Sequence, residues 1–186
     1  MVRANDGHFY LYATQTSTYW MPIYRSKDLV NWEYQKTAFT QATKPSLSGG
    51  GAFWAPEMQY INGKYVLYFS WAKMNGADVS YTAVAVSDSP LGPFPNSKAL
   101  ITNEEFGSNA IDQFYYEENG KKYMFFGSFK GIYVTELTDD GLSVKRDAKG
   151  KPVLKKQICG NLFEGTNIYK KNGYYYLFAS IGNCCN

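Results

Sequence analysis

The stretch Phe163-Glu164-Gly165-Thr166-Asn167-Ile168-Tyr169-Lys170-Lys171-Asn172-Gly173-Tyr174-Tyr175-Tyr176-Leu177-Phe178-Ala179-Ser180 reads as two strands joined by a two-residue turn. Asn-Gly between apolar runs is the strongest short-range hairpin signal, because a type I′ turn needs positive φ at both central residues. One carboxylate, Glu164, stands nine residues before the turn glycine. The same unit recurs up the chain. Asp6-Gly7 precedes His8-Phe9-Tyr10-Leu11-Tyr12, Asn62-Gly63 precedes Lys64-Tyr65-Val66-Leu67-Tyr68, and Asn119-Gly120 precedes Lys121-Lys122-Tyr123-Met124-Phe125. The turn glycines are 56, 57 and 53 residues apart.

A second register runs between the hairpins. Ser26-Lys27-Asp28-Leu29-Val30-Asn31-Trp32, Ser87-Asp88-Ser89-Pro90-Leu91-Gly92-Pro93-Phe94 and Leu137-Thr138-Asp139-Asp140-Gly141-Leu142 each follow a strand-like run. Each unit thus reads as strand, tight hairpin, strand, looser polar turn, strand. Four antiparallel strands per repeat of this period is the signature of a β-propeller blade. No stretch of useful length carries the 3.6-residue apolar period of a helix. A β-sandwich is the competing all-β fold, but it does not predict one repeated turn at this spacing. The expectation is an incomplete propeller: blade 1 over about 1–48, blade 2 over 49–105, blade 3 over 106–160 and the start of a fourth over 161–186.

Totals agree with an all-β chain. Of 186 residues, 18% are aromatic, including 17 Tyr and 12 Phe, and such residues favour pleated surfaces. The net charge of +3 is dispersed, which argues against nucleic acid as a partner. The longest apolar run, Tyr65 to Ala72, is far below the ~18 residues of a membrane span. No signal peptide opens the chain, and the true N-terminus is expected upstream of Met1. Three cysteines, Cys159, Cys184 and Cys185, fit free thiols rather than a disulfide framework or a zinc site. Thr40 to Gly51 and Lys73 to Val79 read as loops of the kind that carry binding sites.

The repeat selects the candidate chemistry. Asp112 lies eight residues before Gly120 and Glu164 nine before Gly173, so both are expected at one structural place on inner strands lining the channel. Glu57, six before Gly63, is left unassigned because strand alternation does not fix its facing. Two carboxylates converging in an aromatic cleft suit glycoside hydrolysis, where one protonates the leaving oxygen. Glu164, between Phe163 and Gly165, fits the acid; Asp112 fits an ionised neighbour that holds the acid's pKa up. The alternative is a pair of strand-end carboxylates satisfied by backbone N–H groups. Trp54, Trp71 and Phe129 are candidate sugar platforms, with core packing as the competing role. His8 is expected to face solvent and carries no role.

Several segments, in order, resemble glycoside hydrolase family 43, the five-bladed propeller enzymes that cleave arabinan, arabinoxylan and xylo-oligosaccharides. They are Arg3 to Thr14, Ser26 to Trp32, Phe53-Trp54-Ala55-Pro56-Glu57, Asn109-Ala110-Ile111-Asp112, Gly127-Ser128-Phe129 with Gly131-Ile132, and the opening stretch through Cys184-Cys185. The Asn-Ala-Ile-Asp run, the Gly-Ser-Phe element and the Cys-Cys pair look most like the arabinan endo-1,5-α-L-arabinanase branch. The resemblance implies Glu164 as general acid, Asp112 as the carboxylate that tunes its pKa and orients substrate, and Asn109 and Ser128 as substrate-binding residues. It also implies an oligo- or polysaccharide partner, secretion or a periplasmic location, no required cofactor, and room for a calcium ion at the axis of the full-length parent. The family's general-base Asp matches nothing here and is expected upstream of Met1, so the isolated chain is expected to be inactive. Gln113 stands where that branch usually has Pro. A β-xylosidase, an exo-arabinofuranosidase and a non-catalytic carbohydrate-binding propeller are the alternatives.

Overall fold

The computed structural model describes residues 1–48, 51–73 and 79–182. Cys184, Cys185 and the middle of both long loops, Gly49-Gly50 and residues 74–78, lie outside the described residues. Three four-stranded sheets follow one another, each antiparallel and laid down in chain order. The first holds β1 (Val2–Arg3), β2 (Phe9–Tyr12), β3 (Pro22–Ser26) and β4 (Glu33–Thr37). The second holds β5 (Ala52–Ile61), β6 (Lys64–Ala72), β7 (Ser80–Ser87) and β8 (Lys98–Thr102), followed by one helical turn, α1 (Asn103–Phe106). The third holds β9 (Phe114–Glu118), β10 (Lys121–Phe126), β11 (Ile132–Leu137) and β12 (Lys155–Cys159). A two-stranded sheet of β13 (Phe163–Lys171) and β14 (Tyr174–Ile181) comes last.

Three of the four turns have the expected geometry. Asn62 and Gly63 (φ 50° and 81°), Asn119 and Gly120 (51° and 74°), and Asn172 and Gly173 (53° and 82°) close two-residue loops. Asp6-Gly7 departs from the pattern. There β1 pairs Arg3 with Phe9, leaving a five-residue loop in which only Gly7 has positive φ. The Asp6 carboxylate accepts the His8 N–H (3.0 Å) and the Tyr10 hydroxyl (2.7 Å), an Asx-type turn that competes with type I′. His8 is a second departure, since it is half-buried with its Nδ1 3.4 Å from Asp6 rather than facing solvent.

The sheets are held face to face by alternation. On β6, Tyr65, Leu67, Phe69 and Trp71 point towards the first sheet and join Tyr10, Tyr12, Ile23 and Phe39 in one apolar cluster. Val66 and Tyr68 point the other way, into a cluster with Ala110, Tyr115, Met124 and Phe126 of the third unit. Such a strand buries both faces, so it reads as a continuous apolar run while retaining a period of two. Tyr68 adds a polar tie, donating to the Gly141 carbonyl at 2.9 Å while its ring stacks on Tyr115. The β13–β14 hairpin packs Ile168 inwards and leaves Tyr174, Phe178 and Ile181 exposed. Cys159 is a half-buried free thiol.

Leu67 is fully buried between the first two sheets. Leu67→Ala is therefore expected to lower the unfolding free energy by about 2–5 kcal/mol, read from the urea midpoint. A loss below about 1 kcal/mol would contradict this packing.

Candidate active site

The inner strands are kinked at one place. On β5 the register slips between Trp54 and Glu57, and on β13 between Glu164 and Asn167, one extra residue in each case. The extra residue absorbs the kink in the left-handed region: Ala55 at φ 44° and Gly165 at φ 66°. Both stand eight residues before their turn glycine, and so does Asp112, at φ 55°.

This corrects the expected equivalence. Asp112 matches Ala55 and Gly165, whereas Glu164 matches Trp54, one residue earlier. Asp112 also stands two residues before β9 rather than on a strand. A one-residue offset on a regular strand would send the two carboxylates to opposite faces. The left-handed backbone re-aims Asp112, and both side chains line one open cleft of about 550 Å³. Glu57 lines it as well, resolving the facing that alternation left undecided, with Gln113, Gly165 and Thr166 among the other walls.

Each carboxyl has its own environment. Glu164 Oε2 accepts the buried Ser128 hydroxyl at 2.9 Å. The Ser128 carbonyl accepts the Asn109 side-chain N–H at 2.8 Å, and the Phe129 N–H donates to the Phe163 carbonyl at 3.0 Å. Asn109, Ser128 and Phe129 thus brace the segment carrying Glu164, and none of them lines the cleft. Burial, and then the charge of Glu164, push the Asp112 carboxyl up to about 6, opposed by the Gly165 N–H that donates to it. The like charge of Glu164 is thus felt at Asp112, second to burial. Burial pushes Glu57 up to about 7 against hydrogen bonds from the Tyr115 N–H (2.7 Å) and the Gln59 side chain (3.0 Å).

Trp71 sits in the core rather than on the wall of the cleft. It is 3% exposed and packs edge-on against Phe53 at 4.9 Å. Trp54 keeps a half-buried position and Phe129 an exposed one, but neither lines the cleft with the carboxyls. Among the described residues no three His, Cys, Asp or Glu side chains gather to hold a metal ion. No helix among them is long and apolar enough to cross a membrane.

The sequence matches the family model described as glycosyl hydrolases family 43 over residues 1–186. It is 29% identical over 196 residues to the extracellular endo-α-(1→5)-L-arabinanase 1 of Bacillus subtilis, covering 100% of this chain and 59% of that protein. It is 31% identical over 207 residues to the extracellular exo-α-(1→5)-L-arabinofuranosidase ArbA of Cellvibrio japonicus, covering 100% of this chain and 58% of that protein. The solved α-L-arabinanase of Cellvibrio cellulosa superposes with a TM-score of 0.70 at 28% identity, over 97% of this chain and 63% of its own. The chain therefore spans less than two thirds of each, and its fold matches part of a five-bladed propeller.

A folded-state pKa raised above the unfolded value means the native protein holds an extra proton between the two values. Stability contributed this way is lost as pH rises from about 4 to about 6. Asp112→Asn removes the penalty, and Asn tolerates the left-handed backbone. The variant is expected to exceed the parent in unfolding free energy by about 2 kcal/mol at pH 7 and by little at pH 4. Urea unfolding across that range checks it, and a pH-independent difference would contradict the assignment.

Proposed function

Because the chain belongs to glycosyl hydrolase family 43, we propose that it carries the acid side of a glycosidase cleaving α-L-arabinofuranosyl linkages, with arabinan as substrate. The observation that supports this most is the convergence of Glu164 and Asp112 on one cleft in a chain similar to arabinan-cleaving enzymes. Glu164 is the general acid. Its Oε2 is fixed by Ser128, which leaves the other carboxyl oxygen to reach the glycosidic oxygen. Asp112, beside Glu164 in the same cleft, orients substrate.

The reaction is hydrolysis with inversion. A water attacks the anomeric carbon from the face opposite Glu164 while the leaving oxygen takes the acid's proton. In such enzymes acid and base stand roughly 6.5–9.5 Å apart, which leaves room for that water. Within this chain the reading assigns only the acid and the modulator. The chemistry requires no cofactor. Secretion follows from the two relatives named as extracellular. Exo-action is the second reading, favoured by the similarity to the exo-acting Cellvibrio japonicus protein.

The test uses the complete gene product. Glu164→Gln is expected to lower kcat on arabino-oligosaccharides by about 10²–10⁴-fold while oligosaccharide binding persists. Retained turnover in the variant would overturn the assignment. Binding without turnover in the unmodified protein would mark a carbohydrate-binding propeller instead.

A further inference from the structure

Thr14, Ser70, Gly127 and Ser180 each lie seven residues after a turn glycine, at the end of the second strand of their unit. The first two make the same bond to the next sheet. Thr14 Oγ1 accepts the Ala55 N–H at 3.2 Å, and Ser70 Oγ accepts the Asp112 N–H at 3.0 Å. Both donors are left-handed residues of the neighbouring unit, Ala55 within β5 and Asp112 just before β9. At the third junction the acceptor is Gly127, where a Cβ would fall 2.2 Å from the Gly131 carbonyl. With no hydroxyl there, the Gly165 N–H goes to the Asp112 carboxylate.

Asp112 is thus held at both ends, and the first hold depends on Gln113. Ser70 Oγ is fully buried and has a single hydrogen, which it donates to Gln113 Oε1 at 3.0 Å. Its lone pair is then free for the Asp112 N–H. The Gln113 side-chain N–H donates to the Ala55 carbonyl, which fixes which end of the amide meets Ser70. Gln113 is itself buried, at 6% exposure. Only a primary amide donates to one partner and accepts from the other at the same length; Glu, Leu or Pro would break the relay. A non-glycine residue in the left-handed region costs about 1–3 kcal/mol and persists where its surroundings over-determine it.

We propose that Ser70 and Gln113 are positioning residues which, through the Asp112 N–H, aim the Asp112 carboxylate at the reacting sugar. This rests on the role of Asp112 given above. Glu164 faces Asp112 across the junction, and Glu57 and the Met1 amine line the same cleft.

The test compares Ser70→Ala and Gln113→Leu with the parent in the complete gene product. Each variant is expected to lose about 10–100-fold in kcat with KM within about threefold, because a misplaced carboxylate costs the transition state more than ground-state binding. A second readout does not depend on turnover. The Asp112 carboxyl carbon, followed by NMR, is expected to titrate near 6 in the parent and at a shifted pH in both variants, because a re-aimed carboxylate changes its burial and its bond from the Gly165 N–H. Ser70→Ala removes one atom and carries the test if Gln113→Leu does not fold. Unchanged Asp112 titration in both variants overturns the proposal. Turnover surviving Glu164→Gln would overturn the acid assignment instead, and binding without turnover in the unmodified protein would overturn the glycosidase reading, while the titration still decides this one.

Discussion

Face-to-face packing between sheets is the constraint on which everything else in this chain depends. The second sheet has no solvent side along β6: Leu67, Tyr68 and Phe69 are fully buried on alternating faces. A fully buried strand must find a neighbour on each side, and only another sheet of the same width supplies it. Burying a side chain of this size contributes about 1.5–3 kcal/mol, and the second sheet has many of them. The stacking fixes the spacing of the sheets, and with it the place where their first strands meet.

What meets there is polar, which creates a second problem. Carboxyls withdrawn from water stay ionised only if hydrogen-bond donors replace the solvent. Each carboxyl draws a donor from a neighbouring unit, and Glu57 has Gln59 of its own strand besides. Ser128 of the third sheet's loop serves Glu164, Tyr115 of the third sheet serves Glu57 of the second, and Gly165 serves Asp112. The arrangement exists only when the sheets are docked, so the chemistry of the cleft is inseparable from the stacking.

The repeated part of the fold is legible in the sequence because it is written in local terms. Asn-Gly demands its own backbone at residues 62–63, 119–120 and 172–173, whatever surrounds it. Asp6-Gly7 differs because an aspartate carboxylate can bond its own backbone, an option the spacing of glycines cannot reveal. The cleft is less legible, since counting back from a turn presumes an unbroken two-residue alternation. The bulges at Ala55 and Gly165 break it, hiding the facing of Glu57 and the one-residue offset between Asp112 and Glu164. Trp71 was ambiguous for a different reason, because an aromatic residue has the same sequence appearance in a core as on a sugar-binding wall. The bracing role of Ser70 had a trace: a hydroxyl recurs seven residues after the turn glycine at Thr14, Ser70 and Ser180. Read without partners, it passes for ordinary strand composition.

Gly127 gives that recurrence its meaning. A propeller approximates rotational symmetry, and a perfectly symmetric ring would offer the same polar groups at every junction and so no directional site. The missing hydroxyl at Gly127 is a defect in the symmetry, and it releases one backbone donor that the other junctions consume internally. That donor points at the only left-handed residue of the three that carries a carboxylate. Asymmetry of this kind gives an otherwise repetitive scaffold a front and a back, and so a single orientation in which a substrate can be read.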